Sequence, residues 1–133
     1  MPKTLTQSVT FKNQKASALY SMYLDSKQHA MITGGAAAKI SAKEGTAFSA
    51  HGGYCFGKNL QLVKDRLIVQ SWRGSDWAKD EMDSTFILSF EQKGKDAVIS
   101  MVHANVPDEH AAGIKTGWTD YYWKPWKSFL HGH

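Results

Sequence analysis

The feature that most constrains this fold is an aromatic-rich strand that is matched by an aromatic-rich segment near the C-terminus. The strand is predicted in LIVQSWRGSDW (residues 67–77), which ends at Trp72 and Arg73 and breaks at Gly74. The C-terminal run GWTDYYWKPWKSFL (residues 117–130) carries three of the five tryptophans. Large aromatics on a strand and on a last helix can enclose an apolar space between them. The sequence therefore indicates a ligand pocket or a packed core between sheet and helix, and not a set of reacting groups.

Hydrophobic periodicity predicts a strand and two helices in the first third of the chain. Residues 4–12 alternate as a strand, and residues 14–24 have helical spacing with Asn13 as a candidate cap. A shorter helix is expected to open at Asp25 or Ser26 and to stop at the glycine pair 34–35.

The rest of the chain is predicted as short strands followed by one long helix. The strand runs are AAKISA (37–42), GTAFSAHGG (45–53), KNLQLVKD (58–65), RLIVQSWR (66–73), STFILSFE (84–91) and AVISMVH (97–103). The helix is expected from about Asp108 to Phe129, with Pro125 kinking it or marking its last turns. Five or six strands closed by a terminal helix predict an α+β fold, in which a curved antiparallel sheet grips the helix. We expect a single domain over residues 1–133, with its core at about 4–130.

Composition narrows the classes of function. The 133 residues are 42% apolar and 21% charged, which is typical of a globular protein. Sixteen Lys and Arg exceed twelve Asp and Glu, but only two are Arg and the basic residues are scattered. Nucleic-acid binding is not expected, since it favours clustered basic groups with Arg prominent.

The lone Cys55 and the absence of long apolar runs favour a cytoplasmic protein. One cysteine excludes an intrachain disulfide, which suits a reducing compartment. The N-terminal MPKTLTQSV lacks the apolar core of a signal peptide, and no stretch approaches eighteen apolar residues, so no membrane span is expected. The six histidines show no HExxH spacing, and we expect neither a metal nor another cofactor.

Several segments in fixed order resemble a known superfamily. GGYCFGKNLQL (52–62), IVQSWRGSDW (68–77) and GWTDYYW (117–123) are the most specific of them. Together they are similar to the START-like helix-grip superfamily (SRPBCC), in particular the branch named after activators of the 90-kDa heat-shock chaperone ATPase. The resemblance implies a curved sheet around the C-terminal helix with a hydrophobic cavity between them. Related folds host lipid binders, hormone receptors, cyclases and co-chaperone domains, so the fold alone does not fix the function.

Strand alternation and helical spacing identify the expected cavity wall. Met101 and His103 share one strand face, Gln70 and Trp72 share another, and Trp118 and Tyr122 lie four apart on the helix. His103 could anchor a ligand or only bond a neighbour in the core, and Trp72 could line a pocket or fill the core. The predicted ligand-binding residues are Phe48, Gln70, Trp72, Phe86, Met101, His103, Trp118 and Tyr122. The helix glycines Gly113 and Gly117 suggest either close packing or room for a bound molecule, because glycine weakens a helix.

Three functions remain open from the sequence. The first is binding of a small apolar or amphipathic ligand without catalysis. The second is a stress-response interaction module with a chaperone as partner, and the third is a cyclase-like or dehydratase-like enzyme that uses His103 and Tyr122. The first predicts an internal cavity, the second a filled interior with an exposed apolar patch, and the third several polar groups converging in one pocket. The pattern predicts no particular oligomeric state.

Overall fold

The computed structural model describes residues 2–131. It shows one antiparallel sheet of six strands at the centre of the protein. The strands lie in the order β1-β6-β5-β4-β3-β2. Their bounds are Lys3–Phe11 (β1), Ala47–Ala50 (β2), Cys55–Val63 (β3), Leu67–Gly74 (β4), Ser84–Lys93 (β5) and Asp96–Val106 (β6). The sheet is curved, and the predicted α+β helix-grip architecture is confirmed.

Alternation along the central strands sets the buried face of the sheet. On β6, Ala97, Ile99, Met101 and His103 are each at most 1% exposed. Cross-strand pairing places Phe86 of β5 opposite His103, so their side chains share that face. The register predicted for these strands is confirmed, because a slip of one residue would have exposed the whole set.

Two short helices follow β1 and cover part of the sheet. They are α1 (Ala16–Leu24) and α2 (Ser26–Ile32). Of the two residues predicted to begin this helix, Asp25 is the cap, since its Oδ1 accepts a hydrogen bond from the Gln28 amide at 2.9 Å. The predicted stop is also confirmed: Gly35 has a φ of 101° and its amide donates to the Ala30 carbonyl at 2.7 Å.

Two sequence predictions in this part of the chain are wrong. Asn13 does not cap α1, which begins at Ala16. The Ala16 amide instead donates to Oε1 of Gln92 at 2.7 Å, so β5 supplies the cap from 76 residues away. The predicted strand at 37–42 does not form, because its pairing is reduced to one isolated bridge between Lys39 and Ser49.

The C-terminal helix is interrupted once by a wider turn. It comprises α3 (Asp108–Trp118), a π-helical turn (Thr119–Trp123) and α4 (Lys124–His131). Pro125 has no amide hydrogen for the carbonyl four residues earlier and its ring crowds that carbonyl, which favours such an irregularity just before it. Trp126 is fully buried with its ring centroid 5.3 Å from that of Phe11, so the helix packs on the inner face of the sheet as predicted.

No helix within residues 2–131 combines the length and the apolar character needed to span a bilayer.

Candidate ligand-binding cleft

A cleft of about 740 Å³ lies between the C-terminal helix and the end of β4, and it opens to solvent on one side. Four parts of the chain line it: Thr33, Gly34 and Ala36 after α2; His51 and Tyr54 at a 3₁₀ turn; Trp72 and Asp76 at the end of β4; and Glu109, His110, Gly113, Ile114, Gly117, Trp118, Tyr121 and Tyr122 on the helix. Five of the fifteen lining residues are Trp or Tyr, so aromatic rings form a substantial part of the walls.

The structure brings three of the eight predicted site residues together at this cleft, namely Trp72, Trp118 and Tyr122. The other five lie behind it in the packed core, at 0–4% exposure: Phe48, Gln70, Phe86, Met101 and His103. Alternation thus identified the correct face of the sheet. It could not separate residues that border open space from residues covered by a neighbour.

Several cleft residues escaped the sequence prediction because they lie on turns. His51 sits in the 3₁₀ turn His51–Gly53 and adopts a left-handed φ of 54°, which is uncommon for a non-glycine residue. Its ring packs edge-on against Tyr122 with centroids 4.9 Å apart, and burial lowers its pKa. In the sequence, the Gly52–Gly53 pair after His51 marks a tight turn, and it was the pattern that could have identified His51 as a cleft residue.

Gly113 leaves room on the helical wall of the cleft. A Cβ built at this position would meet no atom within 4 Å. The glycine therefore faces open space and is not required by a close helix–sheet contact. Of the two explanations that the sequence left open, this geometry favours room for a bound molecule.

His103 is held as a neutral structural group. The Trp118 indole N–H donates to Nδ1 of His103 at 3.1 Å, so Nδ1 must accept. The Ser84 hydroxyl donates to the Trp72 carbonyl at 2.6 Å, and His103 Nε2, 2.7 Å away, then donates to the Ser84 oxygen. Burial lowers the His103 pKa to about 3. Both ring nitrogens are thus satisfied, and Trp118 is fixed at the rear of the cleft.

A second buried histidine fixes Tyr122. His29 Nδ1 lies 2.7 Å from the Tyr23 carbonyl and must donate to it, which leaves Nε2 to accept from the Tyr122 hydroxyl at 2.9 Å. Burial lowers the His29 pKa to about 4. From Tyr23 the hydrogen bonds continue to Gln70 Oε1 (3.0 Å) and from Gln70 Nε2 to Asn59 Oδ1 (2.8 Å). The buried amide of Gln70, one of the predicted ligand-binding residues, is paired within this network.

One polar atom in the cleft wall has no protein partner. The Trp72 ring is 5% exposed, and its buried Nε1 makes no hydrogen bond to any described residue. A buried donor without an acceptor costs free energy.

The cleft mouth is formed by the loop after β4 and the first turn of α3. Arg73 holds the loop in place through the Asp83 carboxylate at 2.7 Å and the carbonyls of Ala78 and Glu81. A carboxylate oxygen of Glu81, one of Glu109 and a ring nitrogen of His110 lie within 4.8 Å of one another at the mouth. No sequence pattern indicates this cluster, because Glu81 lies 28 residues before Glu109.

Comparison with known proteins identifies the family. The family profile described as "Activator of Hsp90 ATPase homolog 1-like protein" matches residues 13–130. The chain belongs to this family. The resemblance inferred from the sequence motifs is therefore confirmed.

One solved structure shares the fold over nearly the whole chain, and two curated proteins are similar in sequence over part or most of it. An HSP90 activator from Plasmodium falciparum superposes with a TM-score of 0.81 at 22% identity, over 98% of this chain and 96% of that one. An uncharacterized protein of Schizosaccharomyces pombe is 27% identical over 93% of this chain, and an activator of 90 kDa heat shock protein ATPase homolog of Dictyostelium discoideum is 31% identical over 57%. The chain spans only 36% and 20% of those two proteins.

Proposed function

We propose that this protein binds a small hydrophobic or amphipathic molecule in the cleft and does so without catalysis. The observation that carries the proposal is the cleft of about 740 Å³ between sheet and helix. Its volume falls in the range of small-molecule sites, which are roughly 300–1,000 Å³ and mostly apolar. Trp72, Trp118 and Tyr122 supply apolar walls, and each is at most 5% exposed.

The hydrogen bonding of the candidate acid–base groups supports binding over chemistry. The enzyme hypothesis required His103 and Tyr122 to act together in one pocket. His103 is instead bonded through both ring nitrogens to Ser84 and Trp118, and Tyr122 donates to His29. General acid–base catalysis needs a group within reach of the substrate and a pKa near the working pH. Burial keeps the His103 side chain out of reach of a substrate and strongly lowers its pKa, so His103 meets neither condition.

Replacing Gly113 by leucine should abolish ligand binding while the fold becomes slightly more stable. The new side chain would enter the cleft, because an added Cβ meets no atom there within 4 Å. Removing a glycine from a helix interior should raise the free energy of unfolding by about 0.5–1 kcal/mol. The measurements are fluorescence titration with the neutral apolar dye Nile red and urea unfolding of the same samples.

Ala112→Leu is the matched control for Gly113→Leu. Ala112 is the preceding residue on α3, is exposed and does not line the cleft. We expect Nile red to bind this variant as it binds the wild type. Equal dye binding by both leucine variants would place the dye outside the cleft and contradict the proposal.

A chaperone-associated role is a second candidate, favoured by apolar side chains exposed along β3. Phe56, Leu60 and Val63 are 40–52% exposed on this strand. Two of the similar proteins are described as activators of the 90-kDa heat-shock protein. The lone Cys55, a free thiol, favours the cytoplasm, where such a partner would be met.

Adding the protein to the 90-kDa chaperone of its own host should raise the ATPase rate if the second candidate holds. Phe56→Ser combined with Leu60→Ser should remove the stimulation, because apolar contacts dominate the centre of protein interfaces. Met82→Ser, at a residue 76% exposed on the loop after β4, serves as the control. An ATPase rate unchanged by the wild-type protein would exclude this role.

A further inference from the structure

The ionisable groups of the cleft indicate the charge of its ligand. Asp76 and Glu109 line it, and among its described lining residues there is no Lys or Arg. This contrasts with the chain as a whole, in which sixteen basic residues outnumber twelve acidic ones. Glu81 adds a third carboxylate near Glu109 at the mouth. The cleft is therefore locally acidic in a protein of net positive charge.

Neither of the two histidines that line the cleft supplies the permanent positive charge of a Lys or Arg. Burial lowers the pKa of His51, so its imidazole favours the neutral form. His110 Nε2 lies 3.8 Å from Glu109, and its ring stacks on Trp77 with centroids 5.7 Å apart. Burial, followed by the neighbouring Asp76 carboxylate, raises the pKa of the Tyr54 hydroxyl, and both residues line the cleft. An anionic ligand would lose its hydration on entering the cleft and would lie near two carboxylates. No Lys or Arg within this lining would compensate, so its binding is unfavourable.

The aromatic walls favour the opposite charge. The ring faces of Trp and Tyr attract cations within about 6 Å of the ring centroid. Trp118 and Tyr122 lie 4.5 Å apart between centroids, and Trp72 lies 6.2 Å from Trp118, so the three rings form one aromatic cluster in which each residue is 3–5% exposed. Carboxylates at the rim and ring faces inside are together suited to a flat molecule with a basic nitrogen.

We propose that the cleft selects a planar aromatic ligand that carries a cationic nitrogen, with the ring against Trp118 and Tyr122 and the nitrogen near Asp76 and Glu109. This inference rests on the ligand-binding function proposed above. It excludes fatty acids and phosphorylated compounds as preferred ligands, because their anionic groups would face the acidic rim.

Three naphthalenes of matched shape test the inference by isothermal titration calorimetry near neutral pH: 2-(aminomethyl)naphthalene (cationic), 2-naphthalenemethanol (neutral) and 2-naphthoic acid (anionic). We expect the amine to bind about tenfold or more tightly than the acid, with the alcohol between them. Asp76→Asn and Glu109→Gln should each reduce the preference for the amine over the alcohol about threefold to tenfold. Glu91→Gln, at an exposed carboxylate on β5, is the control and should change neither affinity.

The outcomes separate this inference from the proposed function. Binding of the alcohol with no preference for the amine over the acid would overturn the cationic ligand class and leave the binding function standing. A preference that survives in both carboxylate variants would also overturn it. Failure of all three compounds to bind at millimolar concentration would overturn the proposed function together with this inference.

Discussion

Acidification from about pH 7.5 to about pH 5 should lower the free energy of unfolding by on the order of 4 kcal/mol, through two buried histidines. In the unfolded chain both imidazoles bind a proton near their ordinary pKa of 6.5. In the folded protein burial delays protonation of His29 to about pH 4 and of His103 to about pH 3. Their stabilising contribution is therefore complete above pH 6.5 and is lost progressively as the pH falls below it. Urea unfolding at a series of pH values measures this loss.

Replacing His103 by glutamine should reduce the slope of the unfolding free energy against pH. At about pH 5 the reduction should correspond to close to one proton taken up on unfolding, because one titrating group is removed. Ser84→Ala is the matched control, since it removes the hydroxyl partner of His103 but keeps the buried imidazole. It should lower stability at every pH and preserve the slope. Identical slopes for the wild type and His103→Gln would show that this histidine does not carry the acid sensitivity.

Trp118→Ala should cost about 3–5 kcal/mol of stability, a loss typical of a large buried aromatic. The indole is 3% exposed and stacks on Phe86 with centroids 4.4 Å apart and planes within 1°. Its loss would also leave Nδ1 of His103 without a donor. Chemical denaturation monitored by circular dichroism measures the change without relying on tryptophan fluorescence.

Two further variants show how much of the stability lost in Trp118→Ala comes from the packed ring and how much from its N–H group. Trp118→Phe keeps an aromatic ring against Phe86 but removes the N–H, so it should cost about 1–3 kcal/mol through the unpaired His103 nitrogen. Tyr121→Ala, on the same helix and 62% exposed, should cost about 1 kcal/mol or less. A loss at Trp118→Ala no larger than that at Tyr121→Ala would mean that the ring borders the cleft without supporting the core.

Most of the fold could be predicted because local patterns determine it. The alternation that buries Met101 and His103 on β6 is visible in the sequence, and so is the Asp25 cap of α2. Predictions failed where a distant residue decided the outcome. Gln92 replaces Asn13 as the partner of the α1 terminus, and no local pattern encodes a hydrogen bond across 76 positions.

The cleft was harder to predict than the fold because an open space forms only where no side chain from any surrounding element fills it. Phe86 and Trp118 were both assigned to its wall, yet Phe86 is covered by the Trp118 ring and only Trp118 reaches the cleft. His51 was missed because its position follows from a left-handed turn and not from periodicity. Gly113 was the sequence signal that pointed most directly to open space.

The π-helical turn has a consequence for how this helix can vary in length among related proteins. A π turn holds about one residue more than an α turn, and in Thr119–Trp123 the outward-facing Tyr121 is 62% exposed. Loss of a single residue here would convert the wider turn into an ordinary α turn. Trp118 before the turn and Trp126 after it can then keep the same neighbours in the sheet. Relatives that differ by one residue at this point can share one core while they present a different helical surface to the cleft.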